Sequence, residues 1–113
     1  MAKSKIFLLS PEEIHKLAPN RGGCIATDRI MVDGMPVGFM YREEPHNSRD
    51  SGWRILAGDE TSEYMSDSNN HDVNDVNTIA NYDQDIIPFL DLPIGTELER
   101  PVGEAVLRPL RQH

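Results

Sequence analysis

Few side chains in this sequence have the type and spacing that catalysis requires. Cys24 is the single thiol, and a thiolate nucleophile would need an imidazole such as that of His46 beside it. Its neighbours Gly23 and Ile25 belong to a strand-like run, in which a cysteine is more often a small buried hydrophobe. Carboxylates are so numerous that pairs at helical spacing carry no information. We therefore predict no catalytic residue and a protein that is not an enzyme.

Metal-binding patterns are equally weak. The stretch Asp67-x-Asn69-x-His71 has the alternating oxygen ligands of a calcium loop. The match fails where that loop needs Gly, because Asp72 stands there, and where it needs a bidentate Glu, because Thr78 stands there. The four histidines have neither an i,i+4 partner nor a Cys-x-x-Cys pair. We predict no metal and no cofactor, and a turn-rich loop over this stretch.

A cluster of aromatic, basic and acidic residues flanks a polar loop. Arg42 ends an alternating run, and Asp50 shortly precedes Trp53, the single tryptophan. The favoured interpretation is structural, with Trp53 as the core anchor of a sheet and a hydrogen bond between Arg42 and Asp50 that holds the loop. The alternative is a small-ligand or regulatory domain with a pocket formed by Arg42, Asp50 and Trp53.

Charge is the strongest pattern in the chain. Residues 55–99 contain eleven Asp and Glu and no Lys or Arg, whereas the whole chain has 19 acidic and 11 basic residues and a net charge of −8. The rest of the chain is therefore mildly basic. An acidic field repels nucleic acid and anionic lipid and favours a cationic surface on another protein. We predict a protein-binding module with neither a nucleic-acid nor a membrane partner.

The predicted binding surface lies within this acidic segment. Its carboxylates would steer a cationic partner, and its tyrosines would anchor the complex after contact. The predicted partner-binding residues are Asp59, Glu60, Glu63, Tyr64, Asp67, Asp72, Asp75 and Tyr82.

The length of 113 residues predicts a single domain, with residues 1–5 and 102–113 at its periphery. The apolar run at residues 6–9 is shorter than the core of a signal peptide or a membrane span. A single cysteine permits no internal disulfide and agrees with a reducing compartment. We therefore expect a cytoplasmic protein.

Local signals predict the helices. Ser10, Pro11 and Glu13 form a capping box that begins a helix, which Pro19 ends. Further helices are expected at three places. The first is a short helix through residues 63–65, capped by Asp59 or Thr61. The second is a segment in which Val73, Val76, Ile79 and Ala80 recur at helical spacing, and the third is a short turn around Pro88. A last, marginal helix is expected over residues 102–110.

Strand signals complete the predicted fold. Asp33-Gly34 predicts the turn of a hairpin over residues 29–41, and strands are expected at 24–27, 53–56 and 96–99. Residues 66–75 are expected to be a loop. The prediction is an α+β fold, a small antiparallel sheet with short helices packed on one face. An exposed edge strand near Thr96 leaves both a monomer and a homodimer open.

Several sequence blocks resemble one known family. They are Gly23-Cys24-Ile25-Ala26, Val37-Gly38-Phe39-Met40-Tyr41-Arg42-Glu43, Asp50-Ser51-Gly52-Trp53, Gly58-Asp59-Glu60, Tyr64, Asn81-Tyr82-Asp83, Ile86-Ile87-Pro88 and Pro93-Ile94-Gly95-Thr96. Over about residues 23–100 the chain resembles the small bacterial domains called immunity protein thirty-three, which are classed as immunity proteins of polymorphic toxin systems. The resemblance implies an α+β fold and a non-enzymatic protein that binds and blocks a toxin. It supplies no catalytic or ligand-binding residue.

Overall fold

A six-stranded sheet organises the computed structural model, which describes residues 6–101 and 103–110. The strand order is β4-β1-β3-β2-β5-β6, and β1 and β3 run parallel whereas the other neighbours are antiparallel. The strands are β1 Gly23–Thr27, β2 Phe39–Arg42, β3 Asp50–Leu56, β4 His71–Asp75, β5 Glu97–Glu99 and β6 Arg108–Pro109. This sheet with its short helices confirms the predicted α+β class.

Short helices connect the strands. The α-helices of the described residues are α1 Asp28–Met31, α2 Ser62–Ser66 and α3 Val76–Tyr82, and the 3-10 turns are Pro11–Glu13, Ser68–Asn70 and Gln84–Phe89. Side-chain caps begin two of the α-helices: the backbone N–H of Tyr64 donates to Thr61 Oγ1 at 3.0 Å, and that of Asn77 donates to Asp75 Oδ1 at 2.8 Å. The predicted short helix through residues 63–65 is therefore confirmed, with Thr61 as its cap. The helix predicted from the spacing of Val73, Val76, Ile79 and Ala80 forms from Val76 onward, whereas Val73 lies in β4. No helix within the described ranges is long and apolar enough to cross a bilayer.

The two faces of the sheet differ. On the covered face, alternate strand residues such as Met40, Trp53 and Leu98 are buried in the same core as residues of α1, α3 and the 3-10 turn at 84–89. On the opposite face, which we call the outer face, lie residues such as Tyr41 and Arg54, because side chains alternate along a strand.

The predicted hairpin over residues 29–41 is wrong. Its first arm is α1, in which the adjacent residues Ile30 and Met31 are both buried, at 1% and 4% exposure. Neighbouring strand residues point to opposite faces, so a half-buried strand would not bury both. The second arm is β2, which pairs with β3 and β5.

The helix predicted from the capping box ends after one turn. The backbone N–H of Ser10 donates to Glu13 Oε1 at 2.9 Å, yet helical structure stops at Glu13. Beyond it, the amide oxygens of Asn77 and Asn81 in α3 accept from backbone N–H groups of the following segment. These donors belong to His15, Leu17 and Ala18. Hydrogen bonds to α3 thus replace the bonds that would have extended the helix.

Residues 66–75 are not the loop that the sequence predicts. Asp67 caps a 3-10 turn, and His71–Asp75 form β4, which pairs along the whole of β1. Asp and Asn have poor strand propensity, but pairing with a central strand overrides it. The stretch that resembled a calcium loop therefore enters the sheet at His71.

The C-terminal part also differs from prediction. The strand expected at 96–99 forms as β5 but is not an edge, because Leu98 and Glu99 pair with Pro109 and Arg108 of β6. No helix forms over the described residues 103–110, and Leu107 is buried in the core at 1% exposure. Val102, the first residue of that expected helix, lies outside the described residues.

Candidate partner-binding surface

Acidic residues gather at one end of the sheet, where β1 ends and β4 begins. Asp28 follows β1 directly, and Asp72 of β4 pairs with Ala26 of β1. The segment after β3 and the helix α2 bring further carboxylates to the same end. We call this set the acidic end; it comprises Asp28, Asp33, Asp59, Glu60, Glu63, Asp67 and Asp72.

Arg29 of α1 lies within the acidic end and pairs with two of its carboxylates. Its Nη1 lies 3.0 Å from Asp33 Oδ2, and its Nη2 lies 2.5 Å from Asp59 Oδ2. The hydrogen bonds to Asp59 and Asp33 raise the pKa of Arg29, and the bond from Arg29 lowers the pKa of Asp59. The Arg29 guanidinium thus compensates part of the charge of Asp33 and Asp59.

Glu60 has a structural role in holding the acidic end together. Its Oε2 accepts from Thr27 Oγ1 at 2.5 Å and from the backbone N–H of Ala57 at 2.8 Å, while its Oε1 accepts from the backbone N–H of Gly58 at 2.8 Å. These bonds tie the turn after β3 to the end of β1. Glu60 is consequently less available to a partner than its charge suggests.

Glu63 and Asp67 are the more accessible carboxylates of the acidic end. Glu63 is exposed, and its side chain makes no hydrogen bond or ion pair with any other described residue. Asp67 is exposed and caps the following turn by accepting from the backbone N–H of Asn69 at 2.9 Å. Beside them Tyr64 is half-buried; desolvation, followed by the charges of Asp28 and other carboxylates, raises its pKa.

Two of the predicted contact residues lie elsewhere. Asp75 is at the far end of β4, opposite Gly23, where it caps α3. The Tyr82 hydroxyl accepts from the backbone N–H of Leu9 at 3.0 Å and so anchors the N-terminal segment. The structure thus brings together six of the eight predicted residues and separates Asp75 and Tyr82 from them.

Sequence reasoning missed two members of the acidic end. Asp28 and Asp33 lie outside the acidic segment 55–99, and Asp33 was assigned to the turn of the predicted hairpin. For Asp33 the available signal was its i,i+4 spacing from Arg29, because such a pair is a common helix-surface contact.

The pocket predicted from Arg42, Asp50 and Trp53 is divided by the sheet. Arg42 is opposite Trp53 in the pairing of β2 with β3, and its guanidinium carbon lies 5.6 Å from the Trp53 ring centre. Asp50 accepts from Nη1 and Nη2 of Arg54 at 2.9 and 2.8 Å, so the predicted bond between Arg42 and Asp50 is wrong. Asp50 and Arg54 line a groove of about 600 Å³ on the outer face, together with Arg49.

Cys24 and His46 do not form a nucleophile pair. Cys24 is 1% exposed on the covered face, whereas His46 is exposed and lines the outer-face groove. Burial, followed by the nearby charge of Asp75, raises the pKa of the Cys24 thiol to about 12, so the thiol stays protonated at neutral pH. Among the described residues, no group of three His, Cys, Asp or Glu side chains could hold a metal ion.

Comparison with known proteins identifies the family. The sequence profile described as the immunity protein Imm33 domain matches residues 24–108, which extend from β1 to β6. The chain belongs to this family. Membership confirms the resemblance seen in the sequence, and it places both the acidic end and the outer-face groove within the matched domain. No curated protein and no solved structure matches the chain.

Proposed function

We propose that this protein is an immunity protein that acts in the cytoplasm and blocks a cationic toxin by binding it, without chemistry of its own. Membership of the immunity protein Imm33 domain family supports a toxin as the partner. The single observation that carries the cationic character is the gathering of seven carboxylates at the acidic end, two of which pair with Arg29.

The electrostatics explain why a cationic partner would be recognised. Carboxylates held close together repel one another, and a cationic surface relieves that repulsion when it docks. Complementary fields also raise the association rate, and this effect falls as salt screens the charges. Glu63 and Asp67 contribute to steering because they are exposed and form no ion pair with another described residue. In contrast, Asp33 and Asp59 pair with Arg29, and Glu60 holds the turn after β3.

The test compares two variants that remove equal charge. Glu63→Gln with Asp67→Asn removes two of the seven negative charges of the acidic end, and Asn retains the capping oxygen of Asp67. Glu97→Gln with Glu99→Gln removes two charges from β5, which three strands separate from β4. Because each variant removes two negative charges, the net charge of the two variants is identical.

The partner for this experiment is the cationic protein that the immobilised chain captures from native cell lysate at low salt. We expect its association rate to fall several-fold for the acidic-end variant at low salt, and the difference to vanish at high salt. The β5 variant should associate nearly as fast as the parent. Equal rates for the acidic-end variant and the parent at low salt would overturn steering by the acidic end.

A further inference from the structure

A second, oppositely charged site lies beside Trp53. A cavity of about 210 Å³ opens there, lined by residues that include Asn20, Arg21, Arg42, Trp53, Leu90 and Asp91. Its lining contains two guanidinium groups and one carboxylate. The cavity therefore differs in chemistry from the acidic end, and nothing in the proposed function uses it.

Arg42 brings to this cavity a positive charge with no paired carboxylate. Its Nε donates to the carbonyl oxygen of Ser51 at 2.9 Å, and its Nη1 donates to that of Leu92 at 2.7 Å. Both acceptors are neutral, and no Asp or Glu of the described chain forms an ion pair with Arg42. A half-buried guanidinium normally has an anionic partner because desolvating a lone charge is costly.

Arg21 brings an unsatisfied donor. Its Nε is buried and has no hydrogen-bond partner in the described structure, which is uncommon for a buried polar atom. Its Nη1 pairs with Asp91, whose side chain is 86% exposed and thus remains largely in water. The only carboxylate in the lining therefore sits at the surface and leaves the Nε of Arg21 unpaired.

We propose that this cavity binds a small carboxylic acid in its anionic form. A carboxylate would supply the missing counter-ion for Arg42 and an acceptor for Arg21 Nε, and the planar guanidinium fork suits a planar carboxylate. The Trp53 ring offers an apolar wall for the carbon chain of the ligand. The protein would then bind a small acid independently of its toxin.

Trp53 provides the readout. It is the only tryptophan in the chain and it lines the cavity, so its fluorescence reports occupancy. The full chain is titrated with sodium glutarate and, in parallel, with sodium chloride at matched ionic strength. We expect a saturable change with glutarate alone, at millimolar or lower concentration, and a rise in the thermal midpoint over the same range.

Variants distinguish specific binding in the cavity from a general effect of salt. Arg21→Gln removes the unpaired donor and should weaken glutarate binding at least tenfold, and Arg42→Lys should do the same because it loses the fork but keeps the charge. Arg49→Gln is the matched control, because Arg49 is exposed and lines the outer-face groove instead of this cavity. Urea unfolding of each variant checks that the fold is intact.

Three outcomes would overturn the assignment. The first is a linear fluorescence response that glutarate and chloride share. The second is equal weakening by Arg49→Gln and Arg21→Gln. The third is saturation by inorganic phosphate, added as a third titrant, without saturation by glutarate, because the site would then select a tetrahedral anion.

Discussion

Arg54 is 4% exposed, and its burial on the outer face depends on two carboxylates. Beyond its two bonds to Asp50, its Nε donates to Glu43 Oε2 at 2.5 Å. Asp50 accepts in addition from the backbone N–H groups of His46 and Gly52 at 2.8 and 2.9 Å. The ion pair therefore joins the loop after β2 to β3.

Removing the arginine should be costly because it leaves the Asp50 carboxylate without its partner. We expect Arg54→Met to lower the free energy of unfolding by roughly 3–5 kcal/mol, measured by urea denaturation at pH 7. Arg49→Met is the control, since the exposed Arg49 side chain makes no bond in the described structure, and it should stay within about 0.5 kcal/mol. Similar losses for the two variants would contradict this role of Arg54.

The same pair predicts a pH dependence. The hydrogen bonds from Arg54 hold the pKa of Asp50 well below its usual range. A carboxyl group with a lower pKa in the folded state stabilises the protein fully above its unfolded value of about 4, and this contribution is lost as the pH falls further. The free energy of unfolding should therefore fall less steeply below about pH 4 in Asp50→Asn than in the parent. If the slope of the unfolding free energy against pH were the same in Asp50→Asn as in the parent, Asp50 would contribute little to the acid sensitivity of the protein.

The thiol of Cys24 should be inert in the folded protein. Its burial and its pKa of about 12 leave almost no thiolate near pH 8. A thiol-specific reagent should therefore modify Cys24 readily in concentrated urea. Without urea, the modification should be no faster than the unfolding of the protein. Fast modification of the native protein would revive Cys24 as a candidate nucleophile.

For single residues, the sequence indicated which side chains matter more often than it indicated which side chains they contact. The concentration of acidic residues and the anchoring role of Trp53, which is 1% exposed, were visible in the sequence. The partner of Asp50 was not visible, because Arg42 and Arg54 are both near in sequence. The position of Asp50 relative to Arg54 depends on an irregularity in β3.

That irregularity is a bulge at Gly52. Gly23 of β1 pairs with Asp50 of β3, and Ile25 pairs with Arg54, so a step of two residues along β1 corresponds to a step of four residues along β3. Residues four apart in a regular strand are separated by roughly 13 Å, which is too far for a direct bond between their functional groups in most rotamers. The bend at Gly52, with φ +90°, shortens this distance and allows Asp50 to bind Arg54.

Substitution of Gly52 should consequently destabilise the protein. A Cβ there would lie 2.2 Å from the carbonyl oxygen of Glu43 in addition to straining the positive φ. We expect Gly52→Ala to destabilise the protein by about 3 kcal/mol or more in urea denaturation. Gly95→Ala shares a positive φ of +99° but has no atom within 4 Å of the added Cβ, and it should cost only about 1–2 kcal/mol. Equal losses of unfolding free energy in the two variants would mean that movement of the backbone relieves the close contact at Gly52.

The helices α2 and α3, which have their own caps, were predictable, whereas β4 and the course of the N-terminal segment, which depend on distant partners, were not. α2 and α3 begin at Thr61 and Asp75, whose side chains cap them locally. β4 exists only because β1 pairs with it, and the N-terminal segment follows the amides of α3 in place of its own helical bonds. Such long-range pairings leave no periodic signal in the sequence.

At the scale of the whole molecule, the fold redistributes the uneven charge of the sequence. Among the described residues, three arginines outside the acidic segment pair with its carboxylates: Arg21 with Asp91, Arg29 with Asp59, and Arg100 with Asp83 and Asp85. The contacts of Arg21 and Arg100 compensate part of the segment away from the acidic end, whereas the contact of Arg29 compensates part of the acidic end itself. The excess charge is therefore less continuous in space than along the chain.

Arg100 is the most connected of these arginines. It lies 2.9 Å from Asp83 and 3.0 Å from Asp85, and it also donates to the carbonyl oxygens of Val37 and Ala105 at 2.9 and 2.7 Å. It thus joins the segment before β2, the end of α3 and the chain after β5. Because Asp83 would be left nearly buried, Arg100→Met should lower the free energy of unfolding by roughly 3–5 kcal/mol.

A second arginine provides the control for Arg100. Arg108 is exposed, and its Nη2 lies 3.9 Å from Glu104 Oε1. Such a surface pair contributes little, so Arg108→Met should change the free energy of unfolding by less than about 1 kcal/mol in the same denaturation experiment. A larger effect for Arg108 than for Arg100 would contradict the connecting role of Arg100.

The parallel pairing of β1 with β3 has a consequence for synthesis on the ribosome. β1 precedes both of its neighbours along the chain, β3 at Asp50–Leu56 and β4 at His71–Asp75, so it stays unpaired in the nascent chain until these strands have been synthesised. Sheets dominated by such distant pairings fold slowly, in milliseconds to seconds. The acidic end likewise joins Asp28 to Asp72, and under the proposed function a newly made copy would protect the cell only after β4 has docked onto β1.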